Sequence, residues 1–117
     1  MPTKLDTRRK IIASTEAARL AAQGATVVSG YFDPLLASHA ARLGELKRGK
    51  LIVVIENPPR AILDARARAE MVASLKVVDY VVESSNGLVP DVRLDKEDEG
   101  RREQLIAHVH ARQQGAS

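Results

Sequence analysis

The chain contains no cysteine and no tryptophan. The first absence excludes disulfides, thiolate chemistry and cysteine-based zinc sites. Its aromatic residues are Tyr31, Phe32 and Tyr80 alone, so any core must be built from aliphatic side chains, and base-stacking platforms of the kind used on single-stranded nucleic acids are missing. No apolar run approaches the roughly 18–20 residues that a membrane span needs. The opening MPTKLDTRRK is charged, with no apolar secretory segment and cleavage site after it. A cytoplasmic protein with no membrane partner is therefore expected. Charge of one sign is not concentrated either. The net charge is +3, and the basic groups Arg8-Arg9-Lys10, Lys47-Arg48-Lys50, Arg60-Arg66-Arg68 and Arg101-Arg102 mostly have acidic neighbours. No nucleic-acid partner is expected without a basic stripe; the bias is toward small anionic ligands.

What is present is an ordinary globular chain. At 117 residues and 44% apolar content it is expected to form a single domain over 1–117, long enough to bury roughly two-thirds of its unfolded surface. Residues 1–10 read as a polar lead-in, loosely ordered at its start. Ser14-Thr15-Glu16 offers an N-cap with an acid in the first turn, and Ala17, Leu20 and Ala21 keep helical spacing up to Gly24. Residues 26–30 read as a strand and 39–48 as a helix. Gly44 inside that helix is attributed to close packing on a sheet. KLIVVIE (50–56) is a continuous apolar run of the kind buried on both faces of a parallel sheet. After the break at Asn57-Pro58-Pro59 come a helix over 64–76, a strand over 77–83, a loop over 84–90, a short strand over 92–94 and a last helix over 99–112.

Strands alternating with helices predict an α/β, Rossmann-like three-layer sandwich with a mostly parallel sheet. Ligands in such folds sit beyond the carboxyl ends of the strands, so residues 30–39, 56–64 and 83–86 are expected to meet at one cleft.

The stretch TVVSGYFDPLLASHAARLGELK (26–47) is the centre of the functional reading. A strand stops at Gly30, the Tyr31-Phe32-Asp33-Pro34 turn follows, and a helix opens near Ser38-His39. Strand, glycine turn and helix start favour a bound anion. Ser38 is a candidate N-cap. Asp33 organises the turn through backbone N–H groups or touches a metal, and Gly30 is at minimum a turn glycine. His39 reads either as a phosphate donor or as a partly exposed first-turn histidine. Lys47 reads either as a phosphate contact or as a partner of its helix's C-terminal dipole. His108 and His110 diverge on a helix and make no metal site; none is expected.

These residues resemble the cytidylyltransferase-like nucleotidyltransferases, which carry G-x-F-D-x-x-H-x-G-H at this junction. Gly30, Phe32, Asp33 and His39 fit; Leu36 stands at the first histidine and Ser38 at the glycine. Lys47, eight residues after His39, falls where the family has a phosphate-contacting lysine. ARARAEMVASLKVVDYVVE is similar to the family's R-A-E-x-x-x-x-L-x-x-V-D-Y-V-V, with Arg68, Glu70, Leu75, Val78, Asp79 and Tyr80 in register; Asp79 reads as structural. The likeness spans about 10–83 and is strongest to the adenylyltransferase domain of ADP-heptose synthases and to glycerol-phosphate cytidylyltransferases. The loop 57–63 is shorter than in those enzymes. The late S-T-T-x-I motif is replaced by Gly100-Arg101-Arg102-Glu103-Gln104-Leu105, where Arg101 and Arg102 are substitute phosphate contacts or solvated surface.

The resemblance implies transfer of a nucleotidyl group from ATP or CTP, with Mg²⁺, to a sugar- or alcohol-phosphate. His39 and Lys47 would be catalytic, and Gly30, Tyr31, Phe32, Asp33, Ser38, Arg101 and Arg102 would contact the nucleotide. Leu36 and Ser38 imply weak or lost catalysis. The alternatives are a non-catalytic nucleotide- or anion-binding module, acting as sensor or partner-docking domain, and a structural homodimer.

Overall fold

A strand buried on both faces must be apolar at every position, and two segments meet that demand. Leu51–Ile55 (β2) is buried throughout, and Thr26–Gly30 (β1) is buried at all but its first residue. In the computed structural model, which describes residues 7–95, these two strands pair in parallel from Thr26 with Leu51 to Gly30 with Ile55. Tyr80–Val82 (β3) adds to the outer edge of β2, and Val92–Arg93 (β4) to the outer edge of β1, also in parallel. The sheet order is β3-β2-β1-β4.

Alternation along the strands sends side chains to two cores. Val27, Ile52, Val54 and Val82 meet Ala17 of Ser14–Ala22 (α1) on one face. Val28, Leu51, Val53, Ile55 and Val81 meet Leu43 of Ala37–Leu46 (α2) and Ala69, Val72 and Ala73 of Ala65–Ala73 (α3) on the other. The fold is an α/β Rossmann-like sandwich of three layers. Among the described residues no helix is long and apolar enough to cross a membrane.

Several local expectations are corrected. The end of the polar lead-in, residues 7–10, forms a short 3-10 turn, and Lys10 Nζ donates to the Leu75 and Val78 carbonyls at 3.1 and 2.8 Å. The N-cap of α1 is Ala13, without a side-chain hydrogen bond, not Ser14. Asp64 caps α3, accepting from Ala67 N at 2.7 Å; that helix stops at Ala73, short of the expected 76, and β3 starts only at Tyr80. Just before β3, Asp79 N donates to the Leu51 carbonyl at 3.1 Å, while the Asp79 carboxylate accepts from Leu51 N at 2.8 Å and pairs with Lys47 Nζ at 3.0 Å, so a side chain supplies one of the two bonds to β2 at this point. Burial raises the Asp79 carboxyl pKa, but the Leu51 N–H, Lys47 and Lys50 outweigh it and hold it below the usual carboxylate range. The predicted helix over 99–112, with Arg101, Arg102, His108 and His110, lies outside the described residues.

Gly44 is exposed, and a Cβ built on it meets nothing within 4 Å. Close packing therefore does not account for it. Gly44→Ala is expected to stabilise the protein by roughly 0.5–1 kcal/mol, read as a higher midpoint in urea at unchanged slope.

Candidate functional site

Beyond Gly30 the backbone enters a left-handed turn at Phe32, φ 50°, which costs a residue with a Cβ about 1–2 kcal/mol. The turn folds the Phe32 ring back over Gly30. A Cβ on Gly30 would lie 2.6 Å from two ring carbons of Phe32, so this glycine is required by close approach and not by its φ. The Asp33–Pro34 peptide is cis.

The Phe32 ring also meets His39 in an edge-on arrangement, with centroids 5.3 Å apart and planes at 80°. His39 is 7% exposed, which overturns its reading as a partly exposed residue. It belongs to the first turn of α2 and fastens that turn from within. Leu36 N donates to His39 Nδ1 at 3.0 Å, while His39 N donates back to the Leu36 carbonyl at 3.0 Å. The N-cap is Leu36, whose side chain offers no acceptor, and the imidazole supplies the returning half of a capping box. Ser38 is exposed inside the helix and is not the cap. With Nδ1 accepting, the neutral ring carries its proton on Nε2.

Two charged side chains tie this turn to the loop after β2. The Asp33 carboxylate accepts from Ile62 N at 2.6 Å and Leu63 N at 2.7 Å, so it organises the facing loop rather than its own turn. Arg68, on α3 and 1% exposed, donates to the carbonyls of Tyr31 (3.0 Å), Glu56 (2.7 Å) and Leu63 (3.0 Å) and to Asn57 Oδ1 (2.6 Å). One guanidinium thereby joins the ends of β1 and β2 to the start of α3.

Between the tied segments lies a cleft of about 530 Å³. Tyr31, Phe32, Asp33 and Pro34 line it from the turn, Leu36, Ser38 and His39 from the start of α2, and Pro58, Arg60 and Ile62 from the loop. Tyr31, Phe32, Asp33, Ser38 and His39 are thus brought together, with Gly30 beneath Phe32. Lys47 is not among the lining residues. Its ammonium is held by Asp79 and by the Val77 carbonyl at 3.0 Å, beside the residue that opens β2, whereas the cleft lies beyond the carboxyl end of β1. Residues 83–86 do not join the cleft. β3 is an edge strand, and its outgoing loop turns toward α1, where Asn86 and Gly87 border a separate hollow of about 240 Å³ with Ser14 and Thr15.

No protein-family model matches the chain, and no curated protein does.

At the carboxyl ends of β1 and β4, Ser29 Oγ donates to the buried Asp95 carboxylate at 2.7 Å. Burial and the nearby Asp95 charge raise the Glu56 carboxyl pKa, against an opposing pull from Arg93. The residues present do not fit a protein-held Mg²⁺. Both Asp33 oxygens are engaged by backbone N–H groups, and no group of three or more His, Asp or Glu among the described residues could hold a metal ion.

The Ile62 N–H holds the Asp33 carboxyl below its usual range, with burial opposing and the Leu63 N–H and Arg68 assisting. Depressed carboxyls contribute stability fully above the unfolded pKa of about 3.9 and lose it as the pH falls through the folded value. Asp33→Asn and Asp79→Asn are each expected to lower stability at neutral pH and to flatten its decline below about pH 4. Denaturant midpoints taken from neutral pH down into that range check this.

Sequence reasoning missed Arg68 as the tie beneath the site. The signal was its place in the series Ala65, Arg68, Ala69, Val72, a helical stripe that otherwise faces the core. Arg60, Pro58 and Ile62 carried no pattern of their own; the loop simply folds over the turn through Asp33.

Proposed function

We propose that the chain is a nucleotidyltransferase-like domain that binds a nucleotide or another small phosphorylated molecule in the cleft beyond β1, with little or no transfer chemistry of its own. The sequence likeness at Gly30, Phe32, Asp33 and His39 supports the ligand class. The position of the cleft supports it too, since it opens at the carboxyl end of a parallel strand and at the first turn of α2, where anions are favoured.

One observation carries the loss of transfer. The cleft presents Leu36 where the reaction needs a donor, and the lysine that would serve the phosphates is bound to Asp79. Nucleotidyl transfer needs its attacking and leaving groups positioned and the charge on the phosphoryl oxygens stabilised. Removing one such donor typically lowers the rate about 10²–10³-fold, and here two are absent from the cleft.

The test pairs two assays. Pyrophosphate release from ATP or CTP with Mg²⁺, over a panel of sugar and alcohol phosphates, is expected to stay at background. Thermal denaturation is expected to move upward with at least one phosphorylated compound, because a ligand at 100 times its Kd adds about 2.7 kcal/mol. Steady turnover would restore the enzyme reading, and no shift with any phosphorylated compound would remove the binding one.

A further inference from the structure

We infer that the cleft is built for a single phosphate carried on a planar, largely apolar body, a nucleoside monophosphate being the simplest example, and not for a triphosphate. This rests on the reading of the cleft as a site for phosphorylated molecules and narrows it.

Charge balance is the first ground. Among the described cleft-lining residues Arg60 is the one arginine or lysine. The acid in the lining, Asp33, keeps its charge, accepting from the Ile62 and Leu63 N–H groups with Arg68 as the nearby opposing charge. Lys47 is tied to Asp79, and no group of three or more His, Asp or Glu among the described residues could hold a metal ion. A phosphate monoester carries about −1.5 to −2 at neutral pH, which one guanidinium fork beside a helix start can match. The added phosphates of a triphosphate find no second arginine or lysine among the described lining residues.

The walls are the second ground. Three large apolar side chains are exposed among the described residues, and two of them, Leu36 (52%) and Ile62 (79%), line this cleft together with Pro34 and Pro58. Apolar side chains gathered in a concavity of this size suit the flat face of a small ligand. Inorganic phosphate would leave that wall in water, and an unphosphorylated nucleoside would leave Arg60 unmatched.

Calorimetric titration of the intact chain tests this with AMP, CMP and phenyl phosphate, with adenosine and cytidine, with inorganic phosphate, and with ATP and CTP in the presence and absence of Mg²⁺. At least one monoester is expected to bind about tenfold or more tighter than its phosphate-free counterpart, inorganic phosphate and the triphosphates. Arg60→Gln should weaken the monoester about tenfold and leave nucleoside binding unchanged, and Ile62→Ser should weaken the monoester and the nucleoside together. Both residues are exposed, so the fold is retained. Preference for AMP or CMP over phenyl phosphate identifies a nucleotide as the natural source, and parity identifies any planar monoester; either outcome upholds the inference. Tighter binding of a triphosphate, or inorganic phosphate binding as well as the monoesters, overturns it while leaving the cleft a phosphate site. Failure of every phosphorylated compound to bind overturns the proposed function as well.

Discussion

Arg68→Ala is expected to destabilise the protein by roughly 3–5 kcal/mol, the range found when one member of a buried charged network is removed. The guanidinium is 1% exposed and donates four hydrogen bonds to acceptors on three separate segments. Alanine would leave those acceptors without their donor and open a cavity where the guanidinium lay. Buried acceptors that lose their donor each cost about 1–3 kcal/mol, reduced here where water can enter from the loop side. Arg68→Lys keeps the charge but not the fork, and a compact ammonium cannot span the same acceptors. It should fall between wild type and Arg68→Ala. Equilibrium unfolding in urea measures all three, and a loss under about 1 kcal/mol for Arg68→Ala would mean that the network contributes little.

The second large effect is at Phe32. Truncation to alanine removes the largest buried aromatic side chain of the described core and is expected to cost about 3–5 kcal/mol. Gly30→Ala should cost about 1–3 kcal/mol by overpacking, because the added methyl would stand 2.6 Å from a buried ring that also packs on His39. The two effects share one cause. In the Phe32→Ala background Gly30→Ala should be nearly neutral, giving a coupling of about 1–3 kcal/mol in a double-mutant cycle. Additive losses would instead mean that Gly30 is needed for its backbone conformation.

Patterns that depend only on neighbouring residues were legible. β1 was bounded correctly, and β2 lies one residue inside each end of KLIVVIE, because a strand buried on both faces has no alternative to continuous apolar residues. The three-layer arrangement followed from the order of elements. What was not legible depends on contacts distant in sequence. The Asp79 carboxylate bonds to Leu51 N, which is 28 residues away. Asp33 reaches Ile62 and Leu63 rather than its own turn. Arg68 reads as one more surface arginine until Tyr31, Glu56 and Leu63 are seen around it. At the site, Tyr31, Phe32, Asp33, Ser38 and His39 form one surface because they are close in sequence. Lys47 does not join them because α2 carries it to the end of the helix opposite His39, where Asp79 offers a partner.

His39 has a structural duty in the turn that frames the cleft. Its Nδ1 closes the first turn of α2 and its ring braces Phe32, so the same imidazole that the family resemblance casts as a phosphate donor also shapes the wall of the cleft.

The most direct test of the account is an amide NMR titration of the ¹⁵N-labelled chain with AMP and CMP. Saturating shifts are predicted at Tyr31, Ala37, Ser38, His39 and Arg60, the turn, helix start and loop that frame the cleft, with Lys47 and Asp79 unmoved. Shifts centred on Lys47 and Asp79, or on Asn86 and Gly87, or no saturable shift anywhere, would contradict it.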